Sequence, residues 1–82
     1  MRSKLEIMAD ILSVARNSAR KTEIVYKANL NFDRVQRYID YLKGKGFLEH
    51  TGHFYTLTER GEEFLRGYQL MTETLLTQEI RN

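Results

Sequence analysis

The sequence contains no cysteine, and that single absence removes disulfides, thiolate metal sites, iron–sulfur clusters and a cysteine nucleophile together. A reducing compartment is therefore permitted. Proline is absent as well, so helix ends have to be read from capping side chains and glycines. No apolar run exceeds three residues, which leaves neither a membrane-spanning helix nor the apolar centre of a secretory leader. A soluble, cytoplasmic protein without a membrane partner is the expectation. The chain has 82 residues, enough for one domain, and a domain so small buries little more than about 60% of its unfolded surface. A deep cavity would remove core that it needs, so no cofactor, no small-molecule ligand and no elaborate active site are expected.

What is present is ordinary globular composition, 41% hydrophobic and 29% charged, too apolar for a disordered chain. The charge is unevenly placed. Up to Gly46 there are ten Lys/Arg against five Asp/Glu, and beyond it three against six, so the parts carry +5 and −3 within a net +2. This asymmetry suggests a basic working surface on the first part and a different task for the second, with random scatter of surface charge as the plain alternative.

Hydrophobic spacing yields four helices and a hairpin. Leu5, Met8, Ile11, Leu12 and Ala15 recur at the three-and-four interval of an amphipathic helix running from Ser3 to about Asn17. Thr22 precedes Glu23-Ile24-Val25, so its hydroxyl is expected to cap a short second helix, Glu23 to Ala28. Asn29 can take the left-handed conformation that ends a helix, and Asn31 is a good cap for the third. Leu30 and Val35 hold the positions of a hydrophobic staple across that cap. The third helix, Phe32 to about Lys43, directs Phe32, Val35, Ile39 and Leu42 inward with Tyr38 at the margin. By the step of about 100° per residue, Asp33, Arg34, Gln36, Arg37, Asp40 and Tyr41 point elsewhere. Gly44 and Gly46 stop it. Phe47 to Leu57 then reads as a β-hairpin turning at Thr51-Gly52 and leaning on the helices through Leu48, Tyr55 and Leu57. Thr58 caps a last helix reaching about Ile80. Its apolar positions Phe64, Tyr68, Met71 and Leu75 step by four, three and four, and Leu65, Leu76 and Ile80 widen the stripe.

Helix, short helix, tight turn, helix and hairpin, in this order, make a helix-turn-helix with a wing, whose third helix enters the DNA major groove. The fold class is thus mainly α with a small β-hairpin. The chain also resembles a known family at Lys21 to Asn31, Gln36 to Ile39, Gly46 to Glu49 and Tyr55 to Leu65. It is similar to the small archaeal winged-helix proteins, closest to their dimeric, chromatin-associated DNA-binding members, over about residues 3–76. The resemblance implies a winged-helix head in 1–58 and a C-terminal dimerisation helix in 59–82 that pairs antiparallel with its mate, within one structural domain. Glu59 to Ile80 would span roughly 33 Å at a rise of about 1.5 Å per residue. That is short for such an arm, so a compact homodimer is expected, with Phe64, Tyr68, Met71 and Leu75 at its seam.

The candidate contacts with double-stranded DNA follow from charge and position. Arg34 and Arg37 lie one turn apart on the outward face of the third helix, where guanidinium forks reach guanine edges or phosphates. Asp33 and Asp40 stand at ion-pairing distance along the same helix, so surface pairing is the competing reading. Gln36 is placed to read adenine or simply to be solvated, and Tyr41 is a better contact than Tyr38, which packs. Arg20, Lys21 and Thr22 gather at the start of the second helix, where backbone amides favour a phosphate. Asn31, at the start of the third, joins them. Lys45 is a weaker candidate, as are Lys27 and Lys43. His50 and His53 flank the hairpin turn. Zinc needs three or four ligands, and no cysteine or second carboxylate accompanies them, so a wing tip near phosphate suits them better than a metal. Glu62 and Glu63 read as charged flanks of the coiled coil rather than paired acid–base carboxylates. Ser3, Ser13 and Ser18 lack a neighbouring histidine or glycine elbow, and an enzyme is not expected. A nucleoid-associated regulator or architectural protein is the leading expectation. A winged-helix protein-interaction adaptor is the other, since a fold does not dictate its use.

Overall fold

The computed structural model describes residues 2–81, with side chains through residue 77. Its elements are α1 (Lys4–Ala15), α2 (Lys21–Ala28), α3 (Phe32–Gly44), β1 (Leu48–Thr51), β2 (Phe54–Leu57) and α4 (Glu59–Arg81). The fold is mainly helical with one antiparallel hairpin.

Local chemistry sets most boundaries. Ser3 caps α1 by a reciprocal box: its hydroxyl accepts from the Glu6 amide at 3.1 Å, and the Glu6 carboxylate accepts from the Ser3 amide at 3.0 Å. These bonds, the backbone amide first, hold the Glu6 carboxyl below its ordinary value. Asn29 ends α2 in the left-handed region at φ 56°, and Asn31 caps α3 by accepting from the Arg34 amide at 2.8 Å. The end of α3 is a Schellman motif: the Gly46 amide donates to the Lys43 carbonyl and the Phe47 amide to the Leu42 carbonyl, both at 2.9 Å, with Gly46 at φ 78°. The boundary of α2 differs from expectation. Arg20, not Thr22, is its N-cap, its amide donating to Glu23 Oε1 at 3.3 Å. Thr22 therefore lies one residue inside the helix, with its hydroxyl no longer needed as a cap.

Ile7, Ile11, Leu12, Ala15, Ile24, Ala28, Val35, Ile39, Leu42, Leu48, Tyr55 and Leu65 form the core, with Leu30 and Leu57 packed on its edge. Two residues expected inside are not. Phe32 is 52% exposed, because at the first position of α3 it has no preceding turn beneath it, and Leu5 is 36% exposed near the start of α1. Ile7 and Ala9 supply the buried surface of α1 in place of Leu5.

The hairpin pairs Leu48 with Leu57 and Thr51 with Phe54, so its two-residue turn is Gly52-His53 rather than Thr51-Gly52. A contact unforeseen in the sequence ties it down. Ala19, just ahead of α2, bridges Tyr55: the Ala19 amide donates to the Tyr55 carbonyl at 2.9 Å and the Tyr55 amide to the Ala19 carbonyl at 2.7 Å. The Ser18 and Thr56 hydroxyls meet alongside at 3.0 Å.

The start of α4 is bound to the end of α3. Thr58 Oγ1 accepts from the Gly61 amide at 3.0 Å, which is the expected cap, and donates to the Gly46 carbonyl at 2.6 Å. Gly61 lies so near that a Cβ there would fall 2.2 Å from the Phe47 carbonyl oxygen. Glu62 proves to be no coiled-coil flank, since its carboxylate accepts from Arg16 of α1 at 2.7 Å. Phe64 stacks on Phe47 with centroids 4.9 Å apart, and both Phe64 and Tyr68 pack on the chain's own core. The apolar stripe of α4 is thus divided. Its first half closes the head, while Met71, Leu75 and Leu76 lie exposed further along, and Leu70 is exposed on another side of the helix. The Ile80 side chain, expected to widen the stripe, lies outside the described residues. Overall dimensions of 47 × 27 × 20 Å record the projection of α4. Among the described residues no helix is long and apolar enough to cross a membrane.

Candidate nucleic-acid interface

Two concave surfaces collect most of the cationic residues singled out in the sequence. The first, about 390 Å³, is lined by Arg20, Lys21, Thr22, His50, His53 and Tyr55. The Ala19–Tyr55 bridge brings these residues together by clamping the start of α2 to the wing. Arg20 lies with its guanidinium carbon 5.2 Å from the centroid of Phe54, and His50 stacks on Tyr55 at 4.2 Å with 10° between the rings. Each is thereby held on an aromatic support with its polar edge free. His53 is exposed at the turn. The start of α2 and the wing, read separately from the sequence, line one concave surface. Its lining contains two permanent cations, two imidazoles and no carboxylate. Among the described residues no three histidine, aspartate or glutamate side chains gather as a metal site would require.

The second surface, about 520 Å³, lies between α1 and α3 and is lined by Lys4, Met8, Arg34, Arg37, Tyr38 and Tyr41. Arg34 and Arg37 are exposed, and the competing reading of ion pairs with Asp33 or Asp40 is not realised. The ion pairs among the described residues are Arg2–Asp10 and Arg16–Glu62. Asp40 instead accepts from Gln36 Nε2 at 2.8 Å, which occupies part of the amide that Gln36 would present to a base. Two guanidiniums on one helix face are left without an ion-pair partner among the described residues, with their forks open to carboxylate, phosphate or base edges.

Asn31, Gln36 and Lys45 line neither groove. Asn31 Oδ1 is engaged as the cap of α3, and the Lys45 ammonium lies 5.5 Å from the centroid of Tyr41, at the other end of that helix. Lys4 and Met8 line the second groove without having been singled out as contacts in the sequence. Lys4 sits thirty residues ahead of Arg34, and no local pattern announces that α1 closes a groove against α3.

A three-helix head whose α2–turn–α3 presents α3, followed by a hairpin wing, defines a winged helix-turn-helix protein. The chain belongs to the winged helix-turn-helix family, whose family model matches residues 1–76. It is 40% identical over 65 residues to the uncharacterized protein MJ0290 of Methanocaldococcus jannaschii, covering 78% of this chain and 31% of that one. To MJ0287 of the same organism it is 35% identical over 63 residues, 76% of this chain and 65% of that one. The match therefore spans about a third of one relative and just under two thirds of the other. The crystal structure of Sso10a-2, a DNA-binding protein from Sulfolobus solfataricus, aligns with a TM-score of 0.73 at 26% identity, covering 98% of this chain and 92% of that one.

Proposed function

We propose that this protein binds duplex DNA as a homodimer, with α3 in the major groove and with the start of α2 and the wing on the sugar–phosphate backbone. It would act on the nucleoid as a transcriptional regulator or an architectural protein. The observation that carries this reading is the pair Arg34 and Arg37, exposed on the outward face of α3 and free of intramolecular ion pairs among the described residues. The cluster of Arg20, Lys21, His50 and His53 supplies a second cationic surface without a carboxylate in its lining. The likeness to Sso10a-2, described as DNA-binding, supports the same partner. Met71, Leu75 and Leu76 on the projecting part of α4 continue the stripe of Phe64 and Tyr68 as an apolar face that a second copy of the chain would cover.

Binding to a mixed-sequence duplex at several salt concentrations tests the reading. With three or four phosphates neutralised per protomer, log K should fall against log salt with a slope of about −5 to −7 for the dimer. Absence of binding at low salt, or a slope near zero, would overturn DNA binding and favour a protein-interaction adaptor.

A further inference from the structure

The groove between α1 and α3 has a composition that a structural crevice does not need. Lys4, Arg34 and Arg37 supply three cations, Met8, Tyr38 and Tyr41 supply apolar and aromatic surface, and no carboxylate lines it. Like charges so close repel one another unless an anion lies between them. The other cation at the start of the chain, Arg2, is engaged with Asp10 and with the Ala28 carbonyl at the end of α2. Lys4 is exposed and makes no ion pair among the described residues. The Ser3–Glu6 capping box fixes the first turn of α1 and so fixes the point from which Lys4 extends.

Helix and groove dimensions indicate what the anion is. An α-helix with its side chains is about 10 to 12 Å across, and the major groove is about 12 Å wide. A helix lying in it meets bases along its leading edge and sugar–phosphate strands along its flanks. At about 100° per residue, Arg37 and Tyr41 lead, Arg34 and Tyr38 form one flank, and Gln36 and Asp40 form the other. The second flank also holds Asp33, seven residues before Asp40, so it carries two carboxylates, that of Asp40 bonded to Gln36, and would repel a phosphate. The first is extended by Lys4 and Met8 of α1 into a concave surface whose charged groups are all cations.

We propose that the α1–α3 groove seats the DNA strand bordering one edge of the major groove, with the Lys4 ammonium on a phosphate and Met8 and Tyr38 against the deoxyribose. This inference rests on the duplex-DNA reading above and adds the first helix to the interface.

The test uses the full-length chain and a mixed-sequence duplex, comparing wild type with Lys4→Ala, Lys4→Glu, Lys4→Arg and, on α4, Arg66→Ala. Circular dichroism of each variant verifies the fold. Lys4→Ala should lower the salt slope by about 0.9 for each protomer bound and weaken binding at low salt about three- to tenfold. Lys4→Glu should weaken it further, while Lys4→Arg and Arg66→Ala should keep the wild-type slope. If wild type binds and both Lys4→Ala and Lys4→Glu bind with the wild-type slope, the groove is not a strand seat. An equal loss in Arg66→Ala would also overturn it, by showing a dependence on net charge alone. Failure of the wild-type protein to bind duplex at low salt would instead remove the DNA reading itself.

Discussion

Arg37 projects from the side of α3 opposite Val35 and Ile39, and both of those side chains are fully buried. It therefore leads into whatever α3 meets, whereas Lys21 lies half-buried at the first position of α2. This difference separates reading from positioning, because contacts to base edges change sequence preference and phosphate contacts weaken all sequences alike. Arg37→Ala is expected to weaken duplex binding by about 1 to 3 kcal/mol and to flatten any sequence preference. Lys21→Ala should cost less and chiefly reduce the salt slope, by about 0.9 for each protomer bound. Competition titrations with duplexes of different sequence check both. Should Arg37→Ala bind as wild type does while Lys21→Ala abolishes binding, the contact lies in the wing and α2 rather than in α3. The outward direction of Arg37 was legible from helical periodicity alone. Its freedom from Asp33 and Asp40 was not, because three- and four-residue spacing permits an ion pair without requiring one. The exposure of Phe32 was equally hidden, since periodicity assigns a face but not how far the core extends beneath the end of a helix.

Among the elements, the junction of α3, the wing and α4 shows how little space the fold leaves. Thr58 Oγ1 links the Gly46 carbonyl to the Gly61 amide, and the Phe47 carbonyl carbon lies 3.0 Å from the position a Gly61 Cβ would occupy. Backbone cannot rotate away as a flexible side chain can. Gly61→Ala is therefore expected to push α4 off the head and destabilise the protein by about 1 to 3 kcal/mol, read as a lower urea midpoint. An unchanged midpoint would show that α4 can shift at no cost. The capping role of Thr58 was visible in the sequence, because a hydroxyl before a helical run acts on its own chain neighbours. The role of Gly61 was not, because its obstacle comes from fourteen residues earlier. The same distinction applies to α2, where the sequence pointed to Thr22 as the cap and the helix instead starts after Arg20, next to the Ala19–Tyr55 bridge.

At the scale of the whole molecule, α4 leaves Leu75 55% and Leu76 57% exposed beyond the head. Isolated apolar residues are common on protein surfaces, but a run of them on a projecting helix calls for a cover. Leu75→Glu is expected to convert a dimer to a monomer without loss of helicity, measured by sedimentation at tens of micromolar, the order of ordinary assay concentrations. A wild-type monomer under those conditions would remove the dimer. Phe64→Glu is a poor substitute for this test, since Phe64 stacks on Phe47 within the same chain and its loss would damage the head.

The order of helices, turn and wing, the cap of α3, the left-handed Asn29 and the concentration of basic residues before Gly46 were all determined locally, by capping chemistry, periodicity and composition. Those features depend on residues within a turn or two of one another. Which cations share a groove, which half of the α4 stripe closes the head and which glycine must remain a glycine were decided only when distant segments met. Lys4 and Arg34 line one groove, Arg20 and His50 line another, and Gly61 lies against Phe47; packing in three dimensions brings these distant residues together where spacing along one helix cannot.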